Sequence, residues 1–255
     1  MSVTDAPTSS MVERAVPEQT VPKRALLFDV FGTVVDWRSS VISGLTAFFA
    51  PRGIAHDWGQ FALDWRALYQ PSMEEIRAGR RDFALLDILH AENLDALMDR
   101  YDLGNLNVQD RDWLTRIWHR LDPWSDSVAG MTRLRAEFQL ASLSNGNIAL
   151  MIGLMRHGGL PFDAILGAEI AQAYKPDERV YLRAAEALRL APSDCIMVAA
   201  HNEDLAAAHA LGFGTAFIRR LTEYGPGQTV DLAPEGPWDF DATSLTDLAD
   251  QMGLA

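Results

Sequence analysis

Short apolar runs punctuate this chain. Ala25–Val30, Leu140–Ser144, Ala164–Leu166, Ile196–Ala200 and Thr215–Ile218 are rich in Val, Ile, Leu and Phe and bounded by turn or capping residues. Such runs predict strands buried on both faces. Between the later ones the periodicity becomes helical. From Asp177 to Leu190, Val180, Tyr181, Ala184, Ala185 and Leu188 fall on one face, and the Ala-rich stretch Glu203–Leu211 stops at Gly212, a residue suited to cap a helix C-terminus. Strands alternating with helices imply parallel strands joined by right-handed crossovers.

Spacing sharpens this picture. Ser144 to Lys175, and Lys175 to Asp204, are each about one βαβ repeat of roughly 30 residues. Asp29 to Ser144 is several times longer than a crossover needs. The excess is helical in pattern, with many Leu, Ala, Arg and Trp and no convincing strand. The expected fold is therefore α/β, a Rossmann-like parallel-sheet core with an inserted helical cap domain. The expected division is a loosely ordered tail over 1–22, the core over 23–38 and 122–255, and the cap over 39–121. Ligands of open α/β sheets bind beyond the carboxyl ends of the strands. That is where Asp29, Ser144 and the Lys175 loop would lie, in a cleft between cap and core.

Composition removes several classes of function. A net charge of −13 leaves no basic surplus to displace counterions from nucleic acid or an anionic membrane. No apolar run approaches the roughly 18–20 residues that span a bilayer, and the polar N-terminus does not read as a signal peptide. The single cysteine, Cys195, precludes an internal disulfide and makes the cytoplasm the default compartment. Its place in an apolar run reads as core packing.

The chemistry begins at Asp29, a carboxylate leaving a buried strand into a Gly-containing turn. To act as a nucleophile it must stay ionised. Lys175 is a natural partner, because an opposite charge about 4 Å away is worth on the order of 4 kcal/mol at an effective dielectric near 20. Pro176 biases Lys175 toward extended backbone. Thr33 can direct its hydroxyl at Asp29. Ser144 and Asn145 follow a strand directly, where hydroxyl, amide and turn N–H groups hold an anionic oxygen; they also make an ordinary turn.

Phe28-Asp29-Val30-Phe31-Gly32-Thr33, Leu143-Ser144-Asn145-Gly146-Asn147, Tyr174-Lys175-Pro176-Asp177-Glu178-Arg179-Val180-Tyr181 and Val198-Ala199-Ala200-His201-Asn202-Glu203-Asp204 resemble, in order, the motifs of the haloacid dehalogenase superfamily. The resemblance runs from about Leu26 to Gln251 and is strongest to the L-2-haloacid dehalogenase (type II) branch. It implies a hydrolase in which Asp29 displaces halide from Cα of a short 2-haloacid, fluoroacetate included among the candidates. Water then opens the aspartyl ester to release the 2-hydroxyacid. It also implies Lys175 and Asp204 as supporting catalytic residues, Tyr181 as an active-site residue, and Arg66 of the pair Trp65-Arg66 as the halide acceptor. Tyr181 equally fits a core aromatic. Phe31, Tyr69 and Phe83 are candidate pocket walls, and a homodimer through the cap is expected on the resemblance alone.

Two departures separate this chain from phosphatases of the superfamily. Those carry Asp-x-Asp where this chain has Asp29-Val30-Phe31, and Gly-Asp-x-x-x-Asp where it has Ala199-Ala200-His201-Asn202-Glu203-Asp204. The proton donor and a Mg²⁺-binding carboxylate are thus replaced, so neither metal nor cofactor is expected. A departing halide needs no proton, which suits Phe31. The type II pattern Ser-Ser-Asn-x-Trp-Asp also differs, with Ala199 and Ala200, His201 and Glu203 replacing the two serines, the asparagine and the tryptophan. His201 is expected to replace that asparagine in lining the site. The rival readings are a Mg²⁺-dependent phosphatase or phosphonatase-like hydrolase, and a catalytically silent binder of small acids.

Overall fold

The computed structural model describes residues 24–104 and 106–254; the tail expected over 1–22 lies outside them. In chain order the elements are β1 (Ala25–Phe28), α1 (Trp37–Phe49), α2 (Trp58–Ala67), α3 (Tyr69–Arg77), α4 (Leu86–Arg100), α5 (Val108–Thr115), α6 (Ser127–Leu134), β2 (Gln139–Ser144), α7 (Ile148–Gly158), β3 (Ala164–Gly167) and α8 (Ala168–Ala171). There follow α9 (Glu178–Leu188), β4 (Cys195–Ala199), α10 (Asn202–Ala210), β5 (Gly214–Ile218), β6 (Phe240–Ala242) and α11 (Leu245–Gln251). The strands form one parallel sheet in the order β3-β2-β1-β4-β5-β6. The α/β Rossmann-like reading holds, and the strands expected from sequence are present. β6 was not anticipated: it has only three residues, and Asp241 interrupts any apolar run.

Alternation along β1 explains the layering. Side chains of successive strand residues point to opposite faces, so Leu26 and Phe28 join one apolar cluster and Ala25 and Leu27 the other. Both clusters are sealed from water, which is why the strand reads as a continuous apolar run. Full burial of each such Leu or Phe contributes about 1.5–3 kcal/mol. The first cluster does not stop at the sheet: it continues through Trp37, Trp65 and Trp118 into α1–α5. Those helices, together with two short 3-10 turns, occupy the long connection between β1 and β2, with no strand among its described residues.

The chain leaves the sheet and returns to it along adjacent paths. Asp36 N donates to Asp122 O at 2.9 Å, and Trp124 N to Val34 O at 3.0 Å. Three further contacts tie the helical connection to the loops after β2 and β3. Arg77 donates to Lys175 O (3.0 Å), the Tyr174 hydroxyl to Ala84 O (2.7 Å), and Asn147 Nδ2 to Asp87 (2.9 Å). The helices are thereby closed over the carboxyl ends of the strands. Cys195 begins β4 fully buried, and burial pushes its thiol pKa up to about 11.

Candidate active site

Asp29 sits one residue beyond β1, its N–H still paired to Val198 O of β4 at 3.0 Å. The chain then turns sharply through Gly32, whose φ of +87° suits glycine. A Cβ there would also lie 2.2 Å from Glu223 Oε1, so the turn closes only with no side chain. Trp124 Nε1 donates to Gly32 O (2.8 Å), the Ser127 hydroxyl to Val34 O (2.7 Å) and Arg220 Nε to Thr33 O (3.0 Å). The turn after Asp29 is therefore fixed by donors from the return path and from beyond β5.

The Asp29 carboxylate, 7% exposed, receives three donors. Lys175 Nζ reaches Oδ1 at 3.0 Å, while the Thr33 hydroxyl (2.8 Å) and His201 Nδ1 (3.1 Å) share Oδ2. Burial alone would raise its pKa. The Lys175 and His201 charges and the Thr33 hydrogen bond outweigh burial and hold the carboxyl well below its usual range. Lys175 also pairs closely with Asp204, which accepts the Tyr181 hydroxyl on its other oxygen at 2.5 Å. Burial, resisted by Lys175, raises the Asp204 pKa. The ammonium thus bridges two buried carboxylates, whose attraction overcomes burial and raises its own pKa.

His201 lies between two acids. Its Nε2 meets Glu223 Oε2 at 3.0 Å, opposite the Nδ1 contact with Asp29. Burial would lower its pKa, but Glu223 and Asp29 together raise it well above the ordinary value. Both ring nitrogens face carboxylates, so both are donors and the ring is an imidazolium. Glu223 is fully buried and also accepts Trp37 Nε1 at 2.9 Å. In this cluster three carboxylates (Asp29, Asp204, Glu223) therefore balance Lys175, His201 and, across the cleft, Arg66.

Arg66 stands apart. Its guanidinium lies 4.1 Å from the Tyr69 ring centroid and 5.8 Å from that of Trp37. Among the described residues nothing hydrogen-bonds to it, and its Nε is buried without a partner. Tyr69 is buried and lines the same cleft as Asn145, whose Oδ1 accepts Lys175 N at 2.8 Å. A cationic fork set against aromatic faces, with its donors unused, is suited to an anion.

Asp29, Phe31, Arg66, Tyr69, Asn145, Lys175, Tyr181, His201 and Asp204 line one cleft of about 330 Å³. Three other expected residues lie off its surface. Thr33 is fully buried and acts on the cleft only through Asp29, while its Oγ1 accepts Ala200 N at 2.8 Å. Ser144 is also fully buried and accepts Gly146 N at 3.0 Å, so it braces the turn that presents Asn145. Phe83 is corrected: its ring packs on Tyr174, 5.3 Å between centroids, in a separate depression beside Arg77. It precedes α4 at the seam with the sheet, where the Tyr174–Ala84 bond holds it away from the cleft. Tyr181 packs on Phe213 while its hydroxyl donates to Asp204.

Sequence reasoning missed Glu223 and Tyr224, which come from the segment between β5 and β6, and Trp37 at the start of α1. No motif marks them. The available signal was length: a connection running from Ile218 to Phe240 exceeds the roughly 12–15 residues beyond which an unstructured loop is usually functional. Among the described residues no group of three His, Cys, Asp or Glu is arranged to hold a metal ion. Nor is any described helix long and apolar enough to cross a membrane.

A family model described as haloacid dehalogenase-like hydrolase matches residues 23–212. The chain belongs to that family. It is 30% identical to (S)-2-haloacid dehalogenase 1 of Pseudomonas sp. (strain CBS-3) over 84% of this chain and 91% of that protein. The crystal structure of an L-2-haloacid dehalogenase is similar at 47% identity and a TM-score of 0.88, covering 90% of this chain and 98% of the other. That of a defluorinating L-2-haloacid dehalogenase is similar at 48% identity and a TM-score of 0.88, covering 90% and 95%. The likeness to these family members thus takes in the helical connection as well as the sheet.

Proposed function

We infer that this protein hydrolyses short 2-haloalkanoic acids to 2-hydroxyacids through an ester on Asp29. The observation that carries the reading is an ionised, fully oriented Asp29 facing an unpaired Arg66 across one cleft, with Phe31 where a proton donor would stand.

Oδ2 of Asp29 already accepts two hydrogen bonds, whereas Oδ1 accepts one. Oδ1 therefore keeps a free lone pair and is the attacking atom. It forms a bond to Cα as the carbon–halogen bond breaks, and the halide departs toward Arg66 with the bonding pair. Holding carboxylate and carbon in line removes about 7–11 kcal/mol of the barrier.

Esterification changes the electrostatics of the next step. Asp29 loses its charge, and with it part of what keeps His201 protonated. Glu223 still holds the Nε2 proton, so the Nδ1 proton is the one released, leaving a lone pair directed at the ester. A water attacking the Asp29 carboxyl carbon gives its proton to that nitrogen. Thr33, on Oδ2, steadies the developing oxyanion, an effect worth about 2.7–4 kcal/mol per donor, while Lys175 stays on Oδ1, the leaving oxygen. Collapse breaks the carbonyl carbon–Oδ1 bond; the alcohol takes the proton from His201, and the regenerated carboxyl group returns its own proton to the ring. One proton and one halide leave per turnover. Asp204 holds Lys175 throughout.

The test is halide release from chloroacetate, fluoroacetate and each enantiomer of 2-chloropropionate in EDTA, beside Asp29→Asn. Release that needs Mg²⁺ would overturn the metal-free reading, release that survives Asp29→Asn would place the nucleophile elsewhere, and no release from any of these acids would favour the phosphatase-like alternative. His201→Gln should accumulate an adduct on the Asp29 peptide in intact-mass and peptide-mapping spectra; turnover without an adduct would assign water activation to Asp204 instead. A cytoplasmic compartment, suited to the single reduced cysteine, and a homodimer through α1–α5 complete the proposal. Sedimentation of the purified chain tests the latter.

A further inference from the structure

The segment between β5 and β6 does more than supply Glu223. Downstream, Val230, Asp231 and Glu235 form the outer part of the cleft, and Val230 is 54% exposed. This stretch has no regular structure, yet one side chain of the sheet core holds it. Asn202, at the first turn of α10, is 5% exposed. Its backbone N–H and its Nδ2 both donate to Asp231 Oδ1, at 2.8 and 2.9 Å. Nδ2 also donates to Ala233 O at 3.0 Å. Its Oδ1 accepts Glu235 N and Trp238 Nε1, each at 2.9 Å. Two donors and two acceptor sites are the whole capacity of an asparagine amide, and here all of it is spent on one loop. Asp231 meanwhile holds a left-handed backbone (φ +53°), a conformation that a non-glycine residue keeps only when its surroundings fix it.

The adjoining residue, His201, grips the same loop at Glu223. Residues 201 and 202 therefore serve two ends of one device: the first faces the chemistry, the second the mouth. Inward, the space beside Asp29 is closed by Phe31, Tyr69 and the Lys175–Asp204–Tyr181 network. A substituent on Cα of the substrate must then extend outward, toward Val230 and the carboxylates of Asp231 and Glu235. An alkyl chain reaching those acids would desolvate them without replacing their hydrogen bonds, which is unfavourable. Lengthening the substrate requires this wall to move.

We propose that Asn202 is a positioning residue which, through Asp231, locks the β5–β6 segment as a fixed wall and so limits the chain length of the 2-haloacid beyond Cα. The proposal deepens the dehalogenase reading and rests on it for the substrate class, but the lock itself can be judged separately.

Two readouts test it: the ratio of kcat/KM for 2-bromohexanoate to that for bromoacetate, and amide hydrogen exchange over residues 226–238. Asn202→Ala should speed exchange there and shift the ratio toward the longer acid by roughly tenfold, the scale of one or two misfitted methylenes. Asp231→Gly should do the same while keeping the left-handed backbone unstrained, which covers the case in which Asn202→Ala fails to fold. Asn202→Asp alone sets two carboxylates together; Asn202→Asp with Asp231→Asn restores an amide–carboxylate pair and should recover both readouts, which simple destabilisation would not produce. An unchanged ratio in folded variants overturns the chain-length role, and unchanged exchange, or no recovery in the double variant, overturns the lock. Should the wild-type protein release no bromide from either acid, the dehalogenase reading falls, while exchange still decides the lock.

Discussion

The two walls of the cleft are built on opposite principles. On the sheet side the charges around Asp29 are paired: Lys175 bridges Asp29 and Asp204, and His201 bridges Asp29 and Glu223. On the helical side Arg66 rests on Tyr69 and Trp37, with no acid hydrogen-bonded to it and Glu223 and Asp29 acting on it only across the cleft. In the proposed reaction one wall is finished before substrate arrives, and the other is completed by it. Groups that must stay oriented through bond making gain from being paired in advance, because they need no reorganisation at the moment of reaction. A group that receives a leaving anion benefits from having no competitor.

The strongest break of this contrast is at Asp29, the proposed nucleophile. Asp29→Asn should abolish halide release, by about 10⁴-fold or more, as expected when the attacking group itself is lost; residual turnover near the wild-type rate would place the nucleophile elsewhere. Next comes the paired wall. Lys175→Met leaves two buried carboxylates facing each other, and breaking such a pair costs about 3–5 kcal/mol. Its denaturant midpoint should drop accordingly at neutral pH, with much of the loss recovered near pH 4 as the freed carboxylates protonate. A midpoint equal to wild type at pH 7 would mean that the bridge is not what holds these acids together. On the unpaired wall, Arg66→Met should lower turnover by about 10²-fold yet leave thermal stability nearly unchanged, since no internal partner is orphaned. Equal damage to both would erase the distinction between the walls.

His201 sharpens the comparison through pH. Its folded pKa is raised, so its contribution to stability is complete below the unfolded value of about 6.5 and is lost as pH rises through the folded value. The melting temperature of wild type minus that of His201→Gln should therefore be largest in mild acid and shrink toward alkaline pH; a gap that widened instead would mean the ring is neutral in the native state. The smallest effect belongs to Phe83→Leu. It should leave KM for chloroacetate within about twofold and cost about 1 kcal/mol of stability, as a volume-reducing change in a packed seam does. A large rise in KM would return Phe83 to the cleft.

What sequence revealed, and what it hid, follows from the same geometry. Asp29, Lys175 and Asp204 were legible because each lies in the segment that follows a core strand, one or more repeats from the next, so spacing brings them to the same edge of the sheet. Arg66 was legible by resemblance, although nothing local distinguishes it from a surface arginine. Glu223 was not, because its function depends on a long irregular connection folding back onto His201 and filling the space left by Gly32. Periodicity carries no information about such a path. β6 escaped for a related reason, being too short to form a pattern. Ser144 and Phe83 were placed in the cleft because the residues beside them point there or lie near it; the direction of a side chain off a turn is set by packing, and residue order does not encode it.

Cys195 opens an experimental route into this molecule. The chain has one thiol, and it is buried at the start of β4 and held protonated by its surroundings. Maleimides and iodoacetamides, which need an accessible thiolate, have nothing to compete for in the folded protein. A cysteine introduced at exposed Val230 or Thr229 would be the sole site of attachment for a fluorophore or spin label. The mouth of the cleft could then be watched during turnover in the otherwise unaltered chain.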